Sequence, residues 1–122
     1  IYLLRLETGG VHPASSGTLV GPEGQLKHLT QTDFQARVTR RWTSPATDAT
    51  YPLGWVLTLP GHDLELELTA ALDDQEMITS ASAGETYWEG SVSVSGQTGG
   101  VPVTGQGYME LTGYADPYAP PL

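Results

Sequence analysis

Glu85-Thr-Tyr-Trp-Glu-Gly-Ser-Val-Ser-Val-Ser-Gly96, then Gln97-Thr-Gly-Gly100, then Val101-Pro-Val-Thr-Gly-Gln-Gly-Tyr-Met-Glu-Leu-Thr-Gly-Tyr114, is the stretch that decides the fold. Two runs of alternating polar and apolar residues flank a Gly-Gly turn signal, which predicts a long antiparallel hairpin. In the first run Trp88, Val92 and Val94 share a face with Gly90, while Tyr87, Glu89, Ser91, Ser93 and Ser95 share the other. In the second, Val101, Val103, Met109 and Leu111 lie with Gly105, Gly107 and Gly113, and Thr104, Gln106, Tyr108, Glu110, Thr112 and Tyr114 lie opposite. Antiparallel pairing aligns like faces, so Tyr87 and Glu89 are expected beside Tyr108 and Glu110. Glycines inside strands allow a sheet to coil or leave room for a bulky neighbour such as Trp88.

The rest of the chain repeats this grammar. Residues 1–8 read as a strand that is apolar on both faces, ended by Gly9-Gly10. Ser15 to Val20 and Gln25 to Leu29 read as strands about a Gly21-Pro22-Glu23-Gly24 turn. From Asp33, Phe34, Ala36, Val38 and Trp42 alternate with Asp33, Gln35, Arg37, Thr39 and Arg41, and Arg40 interrupts the apolar face. Thr43 to Pro52 reads as a loop. Leu53, Trp55, Leu57 and Leu59 then share one side of a strand, and Leu64, Leu66 and Leu68 alternate with Asp63, Glu65 and Glu67. The only candidate helical turn lies in 73–86, limited by Gly84. Residues 1–114 form one domain, and 115–122 form a tail whose three prolines keep it out of a sheet. About eight strands joined by short turns predict an all-β fold, an antiparallel up-and-down β-barrel with room for one small ligand.

Composition narrows the function classes. The 122 residues carry five basic and fourteen acidic side chains, a net charge of -9. That balance disfavours nucleic acid and anionic membrane surfaces as partners. A chain of this length buries roughly two-thirds of its unfolded surface and needs no staples. With no cysteine, neither a disulfide nor a thiolate metal site is possible. No apolar run is long enough to span a membrane as a helix. No signal peptide is visible, and the chain, opening on Ile1, reads as a mature form, an excised piece or half of a longer protein.

Few motifs carry chemistry. His12, His28 and His62 are far apart and lack metal-ligand spacing. Asp73-Asp74-Gln75-Glu76 lacks the glycine and spacing of a calcium loop and reads as a solvated turn. There is no nucleophile elbow, P-loop or dinucleotide fingerprint. Trp42, Tyr51 and Trp55 bracket the central loop, either as pocket rim or as core plugs. The gathering of Tyr87, Glu89, Tyr108 and Glu110 could form a proton-donating site, because paired carboxylates raise one pKa. The competing reading is a hydrated outer face.

Ser15-Ser-Gly-Thr-Leu-Val20, Trp42-Thr-Ser-Pro45, Leu72-Asp-Asp-Gln-Glu76, Thr86-Tyr-Trp-Glu-Gly90 and Gly107-Tyr-Met-Glu-Leu-Thr-Gly-Tyr114 together resemble the C-terminal lipocalin-like domain of the AttH-like and carotenoid 1,2-hydratase family. The resemblance runs in order over nearly the whole chain and is nearer the AttH-like branch. It implies a lipocalin-like barrel that packs on an N-terminal lipocalin-like domain, whose Trp-rich motif this sequence lacks. It implies no metal and no organic cofactor. AttH-like members are read as exported, so the expected location is extracytoplasmic, in a bacterium. The leading expectation is a domain that binds a hydrophobic small molecule, or that serves as structural partner of the N-terminal barrel. The alternative is an acid-catalysed hydratase or isomerase acting on an isoprenoid or polyketide-like alkene. There Glu110 is the candidate proton donor, with Glu89 and, more weakly, Asp116 behind it. Tyr87, Trp88, Glu89, Tyr108 and Tyr114 are the candidate ligand-binding residues. A barrel parted from its partner domain is also expected to self-associate, as a homodimer.

Overall fold

The hairpin forms around its turn. Gly99 and Gly100 take φ of +54° and +75°, the left-handed pair that a two-residue connection between right-twisted strands requires. From it run β7 (Thr86–Thr98) and β8 (Val101–Thr112), paired in unbroken register from Thr98↔Val101 to Tyr87↔Thr112. The computed structural model describes residues 1–6, 8–79 and 85–115.

Among the described residues six further strands precede them. β1 (Ser16–Val20) and β2 (Leu26–Thr30) make a two-stranded sheet. β3 (Gln35–Thr43), β4 (Thr50–Leu59) and β5 (Leu64–Ala70) form a meander that continues through β5 onto β7. β6 (Glu76–Ile78) is a three-residue strand. One edge of β7 is divided, with β5 taking residues 92–98 and β6 taking 86–88, while β8 covers the other edge. Every strand pair is antiparallel. A short 3-10 helix at Pro60–His62 turns β4 into β5.

The all-β antiparallel class is as the alternation predicts. No closed barrel is found among the described residues, where β3 and β8 remain open sheet edges and β1–β2 stands as its own sheet. Three local expectations also change. Residues 1–6 form no strand of their own, and their β pairing is limited to the isolated bridges Tyr2↔Ser16 and Arg5↔Val11. The chain doubles back through Gly9 and Gly10, at φ +87° and +91°, and Pro13 has no N–H to continue a ladder. Within the stretch 73–86 that offers a candidate helical turn, the described part forms β6, because β5 ends at Ala70 and leaves β7 an edge for Glu76, Met77 and Ile78 to pair with, and residues 80–84 lie outside the described residues. Strand β4 starts at Thr50, within the stretch that reads as a loop. The 115–122 tail, apart from Ala115, lies outside the described residues.

Arg40 is accommodated by paired irregularities. Val38 pairs with Trp55, Arg40 with Gly54 and Arg41 with Pro52, so β3 carries one extra residue at Thr39 and β4 one at Leu53. Compensating bulges of this kind bend both strands. Gly54 is needed there, since a Cβ would sit 2.9 Å from Arg40 Cβ and 2.8 Å from Thr39 Oγ1.

Among the described residues two apolar clusters hold the structure. One joins Ala49, Tyr51, Leu53, Ala70, Trp88 and Leu111, with Trp42, Trp55, Met109 and Tyr114 around it. The other joins Leu29, Phe34 and Leu59, with Leu3, Leu19, Leu57 and Leu64 around it, and ties the β1–β2 hairpin to the larger sheet.

Candidate functional site

Between the two clusters lies a cavity of about 550 Å3. Its floor is the apolar face of the sheet: Ala36 of β3, Trp55 and Leu57 of β4, Leu68 of β5, and Met109 and Leu111 of β8. The same alternation that defines the strands supplies this surface. Its far wall is the N-terminal segment Ile1–Arg5.

That segment is pinned on both sides. Tyr2 exchanges backbone hydrogen bonds with Ser16 at 2.7 and 2.9 Å. The Leu4 N–H donates to Oγ of buried Ser15 at 2.9 Å, and the Ser15 hydroxyl donates back to the Leu4 carbonyl at 3.3 Å. At its end, Arg5 donates from Nη2 to the Gly113 carbonyl at 3.1 Å and lays its guanidinium 3.7 Å over the Tyr114 ring. This is a cation–π contact. Tyr114 in turn packs against Tyr51 at 5.6 Å between ring centroids, and Tyr51 stacks on Trp42 at 6.3 Å. Burial raises the Tyr114 phenol above its ordinary value, against the opposing charges of Arg5 and Arg41.

The sequence-predicted residues divide into three groups. Tyr108, Glu110 and Tyr114 border the cavity. Tyr108 and Glu110 do so from the β8 edge, and both are exposed, Tyr108 to 67%. Tyr87 and Glu89 share their face across the ladder, with Glu89 directly opposite Glu110 and Tyr87 opposite Thr112, and do not line the cavity. The Tyr108 phenol is raised by partial desolvation and by the negative charge of Glu89. Trp88 points the other way. It is fully buried in the larger core cluster, and its indole N–H donates to the Asp73 carbonyl at 2.7 Å. Asp116 lies outside the described residues.

Sequence reading missed two residues. Glu76 sits in a cluster that reads as solvated, yet it accepts hydrogen bonds from Ser44 Oγ at 2.5 Å, Thr47 Oγ1 at 2.6 Å and the Tyr51 hydroxyl at 2.7 Å. Burial pushes the Glu76 carboxyl up, but these three hydroxyls outweigh it and hold the group below its ordinary value. Such a carboxylate is anchored as an anion and is a poor proton donor. Its neighbour Asp73 takes an ion pair from Arg40 at 2.7 Å. The other missed residue is Arg5, whose signal was a single charge inside the apolar run Ile1–Leu6. Among the described residues, no group of three or more His, Asp or Glu side chains is arranged to hold a metal ion. No described helix is long and apolar enough to cross a membrane.

The cavity therefore offers an apolar body, phenols, one cation and one edge carboxylate. A crystal structure of an AttH from Nitrosomonas europaea superposes with a TM-score of 0.79 at 33% identity, over 93% of this chain and 33% of that one. The crystal structure of kievitone hydratase from Nectria haematococca superposes with a TM-score of 0.68 at 24% identity, over 90% of this chain and 32% of that one, a likeness of fold. In sequence, kievitone hydratase of Fusarium solani subsp. phaseoli is 36% identical over 72 residues, 59% of this chain and 20% of that protein. The chain thus spans about a third of the solved relatives and matches a smaller share of the curated one. The profile described as AttH-like matches residues 1–114, in agreement with the motif resemblance, and this chain belongs to the AttH-like family.

Proposed function

We propose that this chain is a lipocalin-like domain that binds a hydrophobic small molecule between its sheet and its N-terminal segment. The cavity carries the reading. Its volume of about 550 Å3 falls within the roughly 300–1,000 Å3 usual for small-molecule sites. Its floor is apolar, and burying a ligand there gains about 25 cal/mol per Å2 of apolar surface. The open edges of β3 and β8 fit a barrel that the remainder of a longer protein completes, with an N-terminal lipocalin-like domain as its partner.

The test uses the full-length protein and the neutral apolar dye Nile red. Saturable binding with one dye per domain is expected. Ala36→Phe fills the cavity from the half-buried strand β3 and is expected to weaken binding about tenfold, or 1.4 kcal/mol, with an unchanged melting curve. Dye binding that is absent, or indifferent to Ala36→Phe, removes this reading.

A second reading is favoured by the 36% identity to kievitone hydratase. In it the full-length protein hydrates an isoprenoid or polyketide-like alkene, with Glu110 giving the proton, Tyr87 and Glu89 orienting it from across the ladder, and Tyr108 and Tyr114 at the cavity border positioning the substrate. Trp88 then acts by holding β7 from the core side. Here Glu110→Gln abolishes hydration while Nile red still binds, and turnover that survives in this variant sinks the assignment.

A further inference from the structure

The cavity is apolar along its floor but not at its ends. Of the five basic side chains in the sequence, one lines it, Arg5, and a second, Arg41 of β3, acts on the Tyr114 phenol at the same end. Among the described residues Arg5 has no carboxylate within ion-pair distance; Arg40 has one, Asp73 at 2.7 Å. In a chain of charge -9, an arginine with no carboxylate partner among the described residues, beside an apolar cavity, calls for an account.

Structural duty uses only part of the side chain. The guanidinium carbon sits 3.7 Å from the centre of the Tyr114 ring, and Nη2 gives one N–H to the Gly113 carbonyl. A guanidinium has five N–H donors in one plane. One hydrogen bond and a ring contact leave further donors for a carboxylate, which a guanidinium can grip with two parallel hydrogen bonds. The other charged group at the cavity, Glu110, is exposed at the β8 edge, on the face opposite Met109 and Leu111. Its charge disfavours an anion near it and directs one toward Arg5.

We propose that the cavity takes an amphipathic carboxylate: an apolar body lies along Trp55, Leu57, Leu68 and Met109, and its carboxylate pairs with the Arg5 guanidinium at the mouth. This rests on the ligand-binding reading above and adds the chemistry of the head group. The protein's overall negative charge repels anions at a distance, so selectivity for an acid comes from local positive charge, and among the described basic side chains Arg5 is the one that lines the cavity.

The experiment compares 11-(dansylamino)undecanoic acid with its methyl ester on the full-length protein at neutral pH and low salt. The acid is expected to bind about tenfold more tightly than the ester, the scale of a charge-assisted hydrogen-bonded pair. In Arg5→Gln the ratio of the two affinities is expected to fall to about one, and in Arg5→Lys to fall only partly. Equal binding of acid and ester by the unaltered protein overturns the carboxylate assignment and leaves the apolar-ligand reading standing. An acid preference that persists undiminished in Arg5→Gln also overturns it. If neither probe binds, the ligand-binding reading itself fails and takes this one with it.

Discussion

A carboxylate held by three hydroxyls makes the fold sensitive to acid in one direction. Glu76 has a folded-state value below the 4.5 of a free glutamate, because the bonds from Ser44, Thr47 and Tyr51 exceed the cost of its burial. The folded form therefore releases its proton more readily than the unfolded form. Its contribution is whole above the unfolded value and is lost as pH falls through the depressed folded value. Glu76→Gln is expected to cost about 1–2 kcal/mol at pH 7, and the gap between variant and parent is expected to narrow below pH 4.5. Denaturant titrations at neutral pH and in acid well below that value check this; a gap that stays constant contradicts it. None of this was legible in Asp73-Asp74-Gln75-Glu76, which resembles any solvated turn. Its partners lie 32, 29 and 25 residues away in sequence, and only the folded chain brings them to it. Arg5 was visible as a charge, but its neighbours Gly113 and Tyr114 are over 100 residues distant.

Strands were legible where alternation was clean. β5, with leucines alternating against Glu65 and Glu67, and the β7–β8 hairpin appear with the faces that the pattern assigns. Bulges were not, because an extra residue on one strand shows only against its partner. The strand glycines also needed the fold to separate them. Gly96 pairs with Leu66, and a Cβ there would stand 2.9 Å from Leu66 Cα and against the Glu65 carbonyl oxygen. Both obstacles are backbone, so the strands themselves must part. A Cβ added at Gly105 would meet nothing within 4 Å. Gly96→Ala is expected to destabilise the protein by about 1–3 kcal/mol, whereas Gly105→Ala should stay within about 0.5 kcal/mol of the parent. Thermal melts of the two variants test the pair, and equal losses would refute the backbone-approach argument.

At the scale of the whole molecule, the sequence showed a β protein and a familiar set of motifs and led to a barrel interior with room for one ligand, whereas the cavity lies between the sheet and Ile1–Arg5, a placement the alternation does not specify. Closure was not legible either, since alternation specifies faces and not which edges meet. Among the described residues the twelve-residue β8 has one edge unpaired, with Val101 and Tyr108 exposed, and Leu26 on the small hairpin is 75% exposed. Unpaired edges template association. The 122-residue chain by itself is expected to form dimers as its concentration rises; light scattering that reports a strict monomer at millimolar concentration counts against this. The three tryptophans have a different kind of consequence. Trp88 is sealed from solvent, Trp55 stands in the cavity floor with its indole N–H on the Pro52 carbonyl at 2.9 Å, and Trp42 stacks on Tyr51. The molecule thus carries its own optical gauges. A molecule filling the cavity would change the surroundings of Trp55, whereas those of Trp88 change when the core opens, so variants that keep one or the other indole would separate occupancy from unfolding without any added label.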